Sequence, residues 1–272
     1  MAKTAKRNIS NNEYRSDKAY SRSDLFKLAK SPVHFKWAMD NHEQSTSALE
    51  FGKAFHSFVL ERDKFDEEYI VVPNIDRRTK EGKALAAQIA ESGKVPISSE
   101  TFTQIEAMAA SVMSNKYAAV LINSGEHEQS YFWQDSQTGI ELKCRPDCRT
   151  DLKSTSVIVD LKTTESADTD SFMRSCLKYG YDLQAAMYTQ GVSEVEGKPH
   201  KFVFVAVEKT PPYACNVLEA DEFFIKKGRR DMQDYLAILK ECLTSGDYYG
   251  YNGSEGYPNV ISLPAWLAKE YE

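Results

Sequence analysis

The fold is decided by the stretch Val157-Ile-Val-Asp-Leu-Lys-Thr-Thr164. Side chains alternate across a β-strand, so Val157, Val159 and Leu161 share one face while Ile158, Asp160 and Lys162 share the other. An apolar strand therefore carries a carboxylate and an ammonium two residues apart on one side, at its end. By itself such a pair reads most simply as a solvated face or an ion pair, so it needs support from elsewhere in the chain. The preceding strand ends in Arg145-Pro-Asp147, and strand ends are where a sheet presents acids to a common point. Two acids and a lysine so arranged could hold a hard divalent cation such as Mg²⁺ and position a water.

Working outward, residues 127–134 read as a strand, Asp135-Ser-Gln-Thr-Gly139 as a turn and residues 140–145 as a second strand. That is a hairpin with a five-residue glycine-containing loop. Downstream, residues 171–179 and 182–191 are helical with a break near Gly180, and residues 201–208 form a further strand stopped by Pro211-Pro212. A helix covers about 220–243 and carries the run Lys226-Lys-Gly-Arg-Arg230. Gln184 and Tyr188 stand at i and i+4 on the helix after the Asp-x-Lys strand. A Gln amide and a Tyr hydroxyl on one edge suit phosphate or base contacts, with plain helix–sheet packing as the alternative.

Toward the N-terminus, residues 1–20 are polar and basic and read as a flexible arm. Ser21 or Ser23 caps a first helix, Ser31-Pro32 ends it or starts the next, and residues 40–48 read as a loop. Residues 49–60 are helical, with Phe51, Phe55, Phe58 and Val59 forming a core-facing stripe. Gly52 and His56 are i and i+4 beside that stripe, so His56 is either a metal ligand or a satisfied core or surface histidine. Residues 79–119 read as two more helices. The order, helices, then β-β-β-α-β, then a helix, predicts an α/β (α+β) fold with a central mixed sheet. We expect a single domain over 21–272, with a helical part at 21–120, a core at 127–210 and a C-terminal helix and tail at 220–272.

Composition sets the outer limits. The chain has 272 residues, 34 Lys plus Arg against 40 Asp plus Glu, and a formal net charge of −6. With 42% hydrophobic and 27% charged residues it is neither disordered nor membrane-like, and no run approaches the ~20 apolar residues of a membrane helix. The basic N-terminus has no apolar run behind it and is not a secretory signal. Five scattered cysteines, an odd number, predict reduced thiols and a cytoplasmic setting, which the resemblance described below would place in a bacterium or a phage-infected host. Cys144 and Cys148 lack partners at zinc-site spacing. If the protein touches DNA, its positive charge must be local.

The ordered motifs Gly52-x-x-x-His56, Pro146-Asp147, Asp160-Leu-Lys162 and Gln184-x-x-x-Tyr188 resemble the PD-(D/E)xK nuclease superfamily in its RecB-like branch. A wider set is similar to the exonuclease VIII (RecE-type) nuclease domain. It comprises Ser21-x-Ser-x-Leu25, Phe51-Gly-Lys-Ala-Phe-His56, Glu128-x-Ser-x-Phe132, Thr138-Gly-Ile140, Arg145-Pro-Asp-Cys148, Val159-Asp-Leu-Lys-Thr-Thr164, Gly180-Tyr-Asp-Leu-Gln-Ala-Ala-Met-Tyr188 and Ile261-Ser-Leu-Pro-Ala-Trp266. The similarity runs from about residue 20 to 266. Some relatives carry this domain at the end of a much longer chain, so a stand-alone phage form or an excised fragment is expected.

The resemblance implies a restriction-endonuclease-like core. It implies His56, Asp147, Asp160 and the carbonyl of Leu161 as metal ligands, Lys162 as the catalytic lysine, and Glu128 as a ligand or supporting acid. Gln184 and Tyr188 would help place DNA and the lysine. The expected cofactor is Mg²⁺, with Mn²⁺ as a substitute. The expected activity is 5′-to-3′ degradation of linear double-stranded DNA, leaving 3′ overhangs for recombination by strand annealing. The expected partners are DNA ends and a RecT-type single-strand annealing protein, with a ring-like homotetramer and no membrane. Arg145 and Arg149 flank Asp147 and are the favoured phosphate contacts. Arg77-Arg-Thr-Lys80, Lys143, Arg174 and the run from Lys226 are further candidates. Two other readings are a Cas4-like nuclease, which needs four clustered cysteines around an iron–sulfur centre, and a catalytically silent DNA-binding scaffold.

Overall fold

A computed structural model describes residues 4–41, 46–73 and 78–271. The N-terminal part runs β1 (Ala5–Arg7), α1 (Asn11–Ser16), α2 (Arg22–Leu28), α3 (Pro32–Asp40), α4 (Ser47–Leu60), α5 (Arg62–Glu68), β2 (Tyr69–Val72), α6 (Lys80–Ser92), β3 (Val95–Ser98), α7 (Ser99–Ser114) and α8 (Lys116–Asn123). The strands follow as β4 (Glu126–His127), β5 (Ser130–Gln134), β6 (Glu141–Cys144), β7 (Cys148–Leu152) and β8 (Thr155–Thr164). Then come α9 (Thr169–Tyr179), α10 (Tyr181–Glu196), β9 (His200–Glu208), β10 (Cys215–Glu219), α11 (Glu222–Ser245) and α12 (Ala265–Ala268).

The central sheet has the order β10-β9-β8-β7-β4. Its β8 and β9 are parallel and its other pairs antiparallel, the mixed sheet that the element order predicts. Both faces of β8 are covered. Val157, Val159 and Leu161 enter one core with α4, α7 and α8, while Ile158 enters another with α2, α3, α10 and α11. A central parallel strand buried on both sides should read as a continuous apolar run. Asp160, 1% exposed, is the exception.

Three sequence expectations need correction. Residues 5–16 are not a flexible arm: β1 pairs antiparallel with β5, and Lys143 Nζ donates to the carbonyls of Tyr14 and Asp17, each at 2.8 Å. The apolar cue there is short, but Tyr14 lays its ring 6.2 Å from Phe132 and anchors the segment. Residues 127–134 are not one strand. Glu128 takes a left-handed φ of 52°, which separates β4 from β5 and sends β5 and β6 into a separate sheet with β1. Finally, the strand preceding β8 is β7, which polar Arg-Thr-Asp conceals, so Asp147 lies immediately before β7 rather than at the end of β6.

Candidate active site

Lys162 of β8 lines a groove of about 620 Å³ together with Gly52, His56, Glu128, Arg145, Leu161 and Tyr181, and Asp160 lies buried against Lys162 behind that wall. The register explains why Asp147 joins them. Cys148 pairs with Val159, so Asp147 reaches the next step of β8, and its Oδ2 accepts the Leu161 N–H at 2.7 Å. His56 descends from α4, with Nδ1 3.5 Å from the same oxygen. The aromatic stripe of α4 faces the core and leaves His56 on the groove side. A Cβ on Gly52 would meet nothing within 4 Å, so this glycine keeps the groove clear one turn above His56.

Glu128 joins through its unusual backbone. Its N–H donates to the Asp147 carbonyl at 3.2 Å, and its carboxylate accepts Arg145 Nε at 2.8 Å. From the opposite side, α10 supplies Gln184, whose Nε2 donates to Asp160 Oδ1. Lys162 Nζ lies 2.5 Å from Asp160 Oδ2, yet that buried oxygen receives no aligned hydrogen bond. Tyr188 stays in the neighbouring core, its ring 6.3 Å from Phe202, and burial pushes its phenol well above its ordinary range.

The charges are strongly interdependent. Burial disfavours the Asp160 carboxylate and leaves its pKa raised despite Lys162. Burial also disfavours the Lys162 ammonium, but Asp160 and Asp147 outweigh this and hold its pKa above the usual value. Asp147 is pulled below its usual range, because His56, Lys162 and the Leu161 N–H overcome burial. Asp147 in turn overcomes the burial of His56 and raises it. Burial and the charge of Asp147 push Glu128 up to about 7, against Arg145. Opposed groups forced into one low-dielectric site beside a groove make it a functional-site candidate.

The donor chemistry suits a hard divalent cation: carboxylates at Asp147, Asp160 and Glu128, one imidazole at His56, and an Asp160 oxygen without an aligned donor. Among the described residues, however, no three His, Cys, Asp or Glu side chains converge closely enough to hold a metal. Lys162 and the Leu161 N–H engage the two aspartates instead.

Not every expected residue arrives. Arg149 is buried in an ion-pair network with Asp151 and Glu196, toward the start of β8, and is withdrawn as a DNA contact. Lys143, 4% exposed, is spent on the N-terminal segment. Lys227 pairs with Asp182 and Asp231, and Lys226 with Glu222. Arg77 lies outside the described residues. Cys144 and Cys148 lie in different cores, which removes the four-cysteine cluster of the Cas4-like reading. Sequence reading missed Tyr181, whose ring lies 4.7 Å from Lys162 Nζ. Its i, i+3, i+7 spacing with Gln184 and Tyr188 was the available signal.

A mixed sheet that gathers Asp147, Asp160 and Lys162 behind the wall of one groove fits the PD-(D/E)xK class. Residues 21–253 match the family described as a PDDEXK-like domain of unknown function (DUF3799), and the chain belongs to that family. No curated protein matches the sequence. A solved structure named "Putative exonuclease", from Eubacterium rectale, shares the fold at TM-score 0.64 and 17% identity, over 97% of this chain and 98% of that one. A phage-related exonuclease from Haemophilus somnus 129PT aligns over 87% of this chain and 100% of that one, at 11% identity and TM-score 0.33. An alkaline exonuclease from Laribacter hongkongensis aligns over 84% and 92%, at 13% identity and TM-score 0.27. The last two likenesses carry no argument. The expected PD-(D/E)xK fold and kinship are thereby met, and among the described residues no helix is long and apolar enough to cross a membrane.

Proposed function

We propose that this protein is a divalent-metal-dependent exonuclease that degrades linear double-stranded DNA from 5′ to 3′. The observation that carries the reading is that His56 and Lys162 line one open groove and contact Asp147 and Asp160 directly behind it, within a PDDEXK-like fold. Hydrolysing a phosphodiester needs a nucleophilic water, charge neutralisation at the phosphate and help for the leaving oxygen. A bound Mg²⁺ would supply charge neutralisation and a more acidic water. His56, Asp147, Asp160 and the Leu161 carbonyl would hold it, with Glu128 in support and Mn²⁺ able to substitute.

The chain's own residues do the rest. Lys162 offers a fixed positive charge beside the scissile phosphate and a donor to orient the attacking water. Gln184 fixes the plane of the Asp160 carboxylate from α10. Arg145 lines the groove and offers a cation to the DNA backbone, while Tyr188 supports the helix that carries Gln184. Polarity, the 3′ overhangs for annealing recombination, a ring-like tetramer, a RecT-type partner and a cytoplasmic setting complete the proposal on the strength of the family resemblance.

The test is a digestion of linear duplex DNA with 5′-phosphate ends in Mg²⁺, with parent protein and Lys162→Ala. Nucleotide release by the parent alone is expected. No release by the parent would overturn the proposed activity, and equal release by the variant would overturn the site.

A further inference from the structure

Tyr181 opens α10 at the rim of the groove and is braced from several sides. Gly180 before it has φ +64°, and a Cβ there would come within 2.4 Å of the Phe26 ring, so α2 packs directly on the α9–α10 junction. Arg22 of α2 donates Nε to the Gly180 carbonyl at 3.3 Å and a terminal nitrogen to the Tyr179 carbonyl. The Arg22 guanidinium carbon then lies 5.6 Å from the centre of the Tyr181 ring. Phe172 and Phe204 pack on the same ring at centroid distances of 6.2 and 6.0 Å. Lys162 Nζ lies 4.7 Å from the centre of this held ring.

A lysine has four rotatable bonds and a strongly hydrated head, so an ion pair alone leaves it free to leave a groove wall. The Lys162 side chain is 17% exposed and faces that choice. A fixed aromatic face attracts the ammonium through its quadrupole, most strongly where water is scarce. We propose that Tyr181, braced by Arg22, is the positioning residue for Lys162, keeping Nζ beside Asp160. The inference rests on the reading above that Lys162 serves phosphodiester hydrolysis. Tyr181 acts through Lys162 and is not itself given a role at the reacting atoms. The ring face, rather than the hydroxyl, carries the effect.

The test compares Tyr181→Phe and Tyr181→Leu with the parent by two readouts. The first is kcat and KM on linear duplex DNA in Mg²⁺. The second is NMR of protein labelled with ¹³C at the lysine ε-carbons, the Lys162 signal being assigned by its loss in Lys162→Ala. We expect the Leu variant to lose about tenfold in kcat with KM unchanged, and the Phe variant to keep parent kcat. The Lys162 ε-protons should be ring-current shifted upfield in the parent and the Phe variant, and unshifted in the Leu variant. Parent-like kcat in a folded Leu variant, loss in the Phe variant, or an unshifted Lys162 signal in the parent overturns the proposal. The parent signal needs no variant to fold. Should the parent release no nucleotides, the proposed function fails separately, and the lysine signal alone decides whether Tyr181 holds Lys162.

Discussion

Gln184 donates its amide Nε2 to Asp160 Oδ1 across the interface between α10 and β8, while Lys162 takes the other oxygen of the same carboxylate. Asp160 is 1% exposed, so it has no water to replace a lost partner. Gln184→Leu should therefore destabilise the fold by about 1–3 kcal/mol, the cost of leaving a buried acceptor unmade. Urea unfolding at neutral pH measures it. A Leu variant as stable as the parent would show that the bond contributes nothing.

Chelation provides a second expectation, since the proposed activity depends on a divalent cation held by Asp147 and Asp160. EDTA should abolish nucleotide release, and Mg²⁺ or Mn²⁺ should restore it. Mg²⁺ should also raise the melting temperature of the parent, because a ligand that binds only the folded state stabilises it. Asp147→Asn and Asp160→Asn should lose that increment. A parent active in excess EDTA contradicts the metal dependence.

Glu128 makes a distinct contribution to the pH dependence of the metal-free fold. Burial and Asp147 raise its pKa from 4.5 to about 7 in the folded state. Between those values the folded chain binds more protons than the unfolded one, so this group makes stability fall as pH rises. Below 4.5 both states are protonated and its slope vanishes, and above about 7 its penalty is complete. From pH 4 to 8 in EDTA, the melting temperature of the parent minus that of Glu128→Gln should therefore fall as pH rises. Identical slopes would remove Glu128 as the titrating group.

Much of this site was legible in the sequence because it sits on strong local patterns. The alternation in Val157-Ile-Val-Asp-Leu-Lys162 fixed which side chains share a face, and the stripe Phe51, Phe55, Phe58 placed His56 beside the core rather than in it. The rest depended on long-range pairing. Strand β7 is polar and short, and it exists because β8 and β4 flank it. Nothing near Arg149 or Lys143 in sequence announces that Glu196 and the Tyr14 carbonyl will occupy them. Composition described residues 5–16 as an arm, but an edge strand needs only a backbone partner, and β5 offered one. The left-handed Glu128 is invisible to pattern reading because only tertiary contacts hold a non-glycine residue there.

The position of Gln184 depends in turn on a helix contact that can be tested far from the groove. A Cβ on Gly228 of α11 would lie 1.9 Å from the Asp182 carbonyl oxygen and 2.8 Å from the Leu183 backbone nitrogen. Backbone atoms cannot swing aside as a flexible side chain can, so Gly228→Ala must move α11 away from α10. The adjacent Lys227–Asp182 pair, with Asp182 buried, would be strained by the same movement. Overpacking of this kind costs about 1–3 kcal/mol. Because Asp182 and Gln184 share one helical turn, the shift should also loosen the Gln184–Asp160 bond and lower kcat without changing the chemistry of the groove. Thermal unfolding together with nuclease kinetics decides the matter. A variant with both parent stability and parent kcat would show that this contact does not hold α10 over β8.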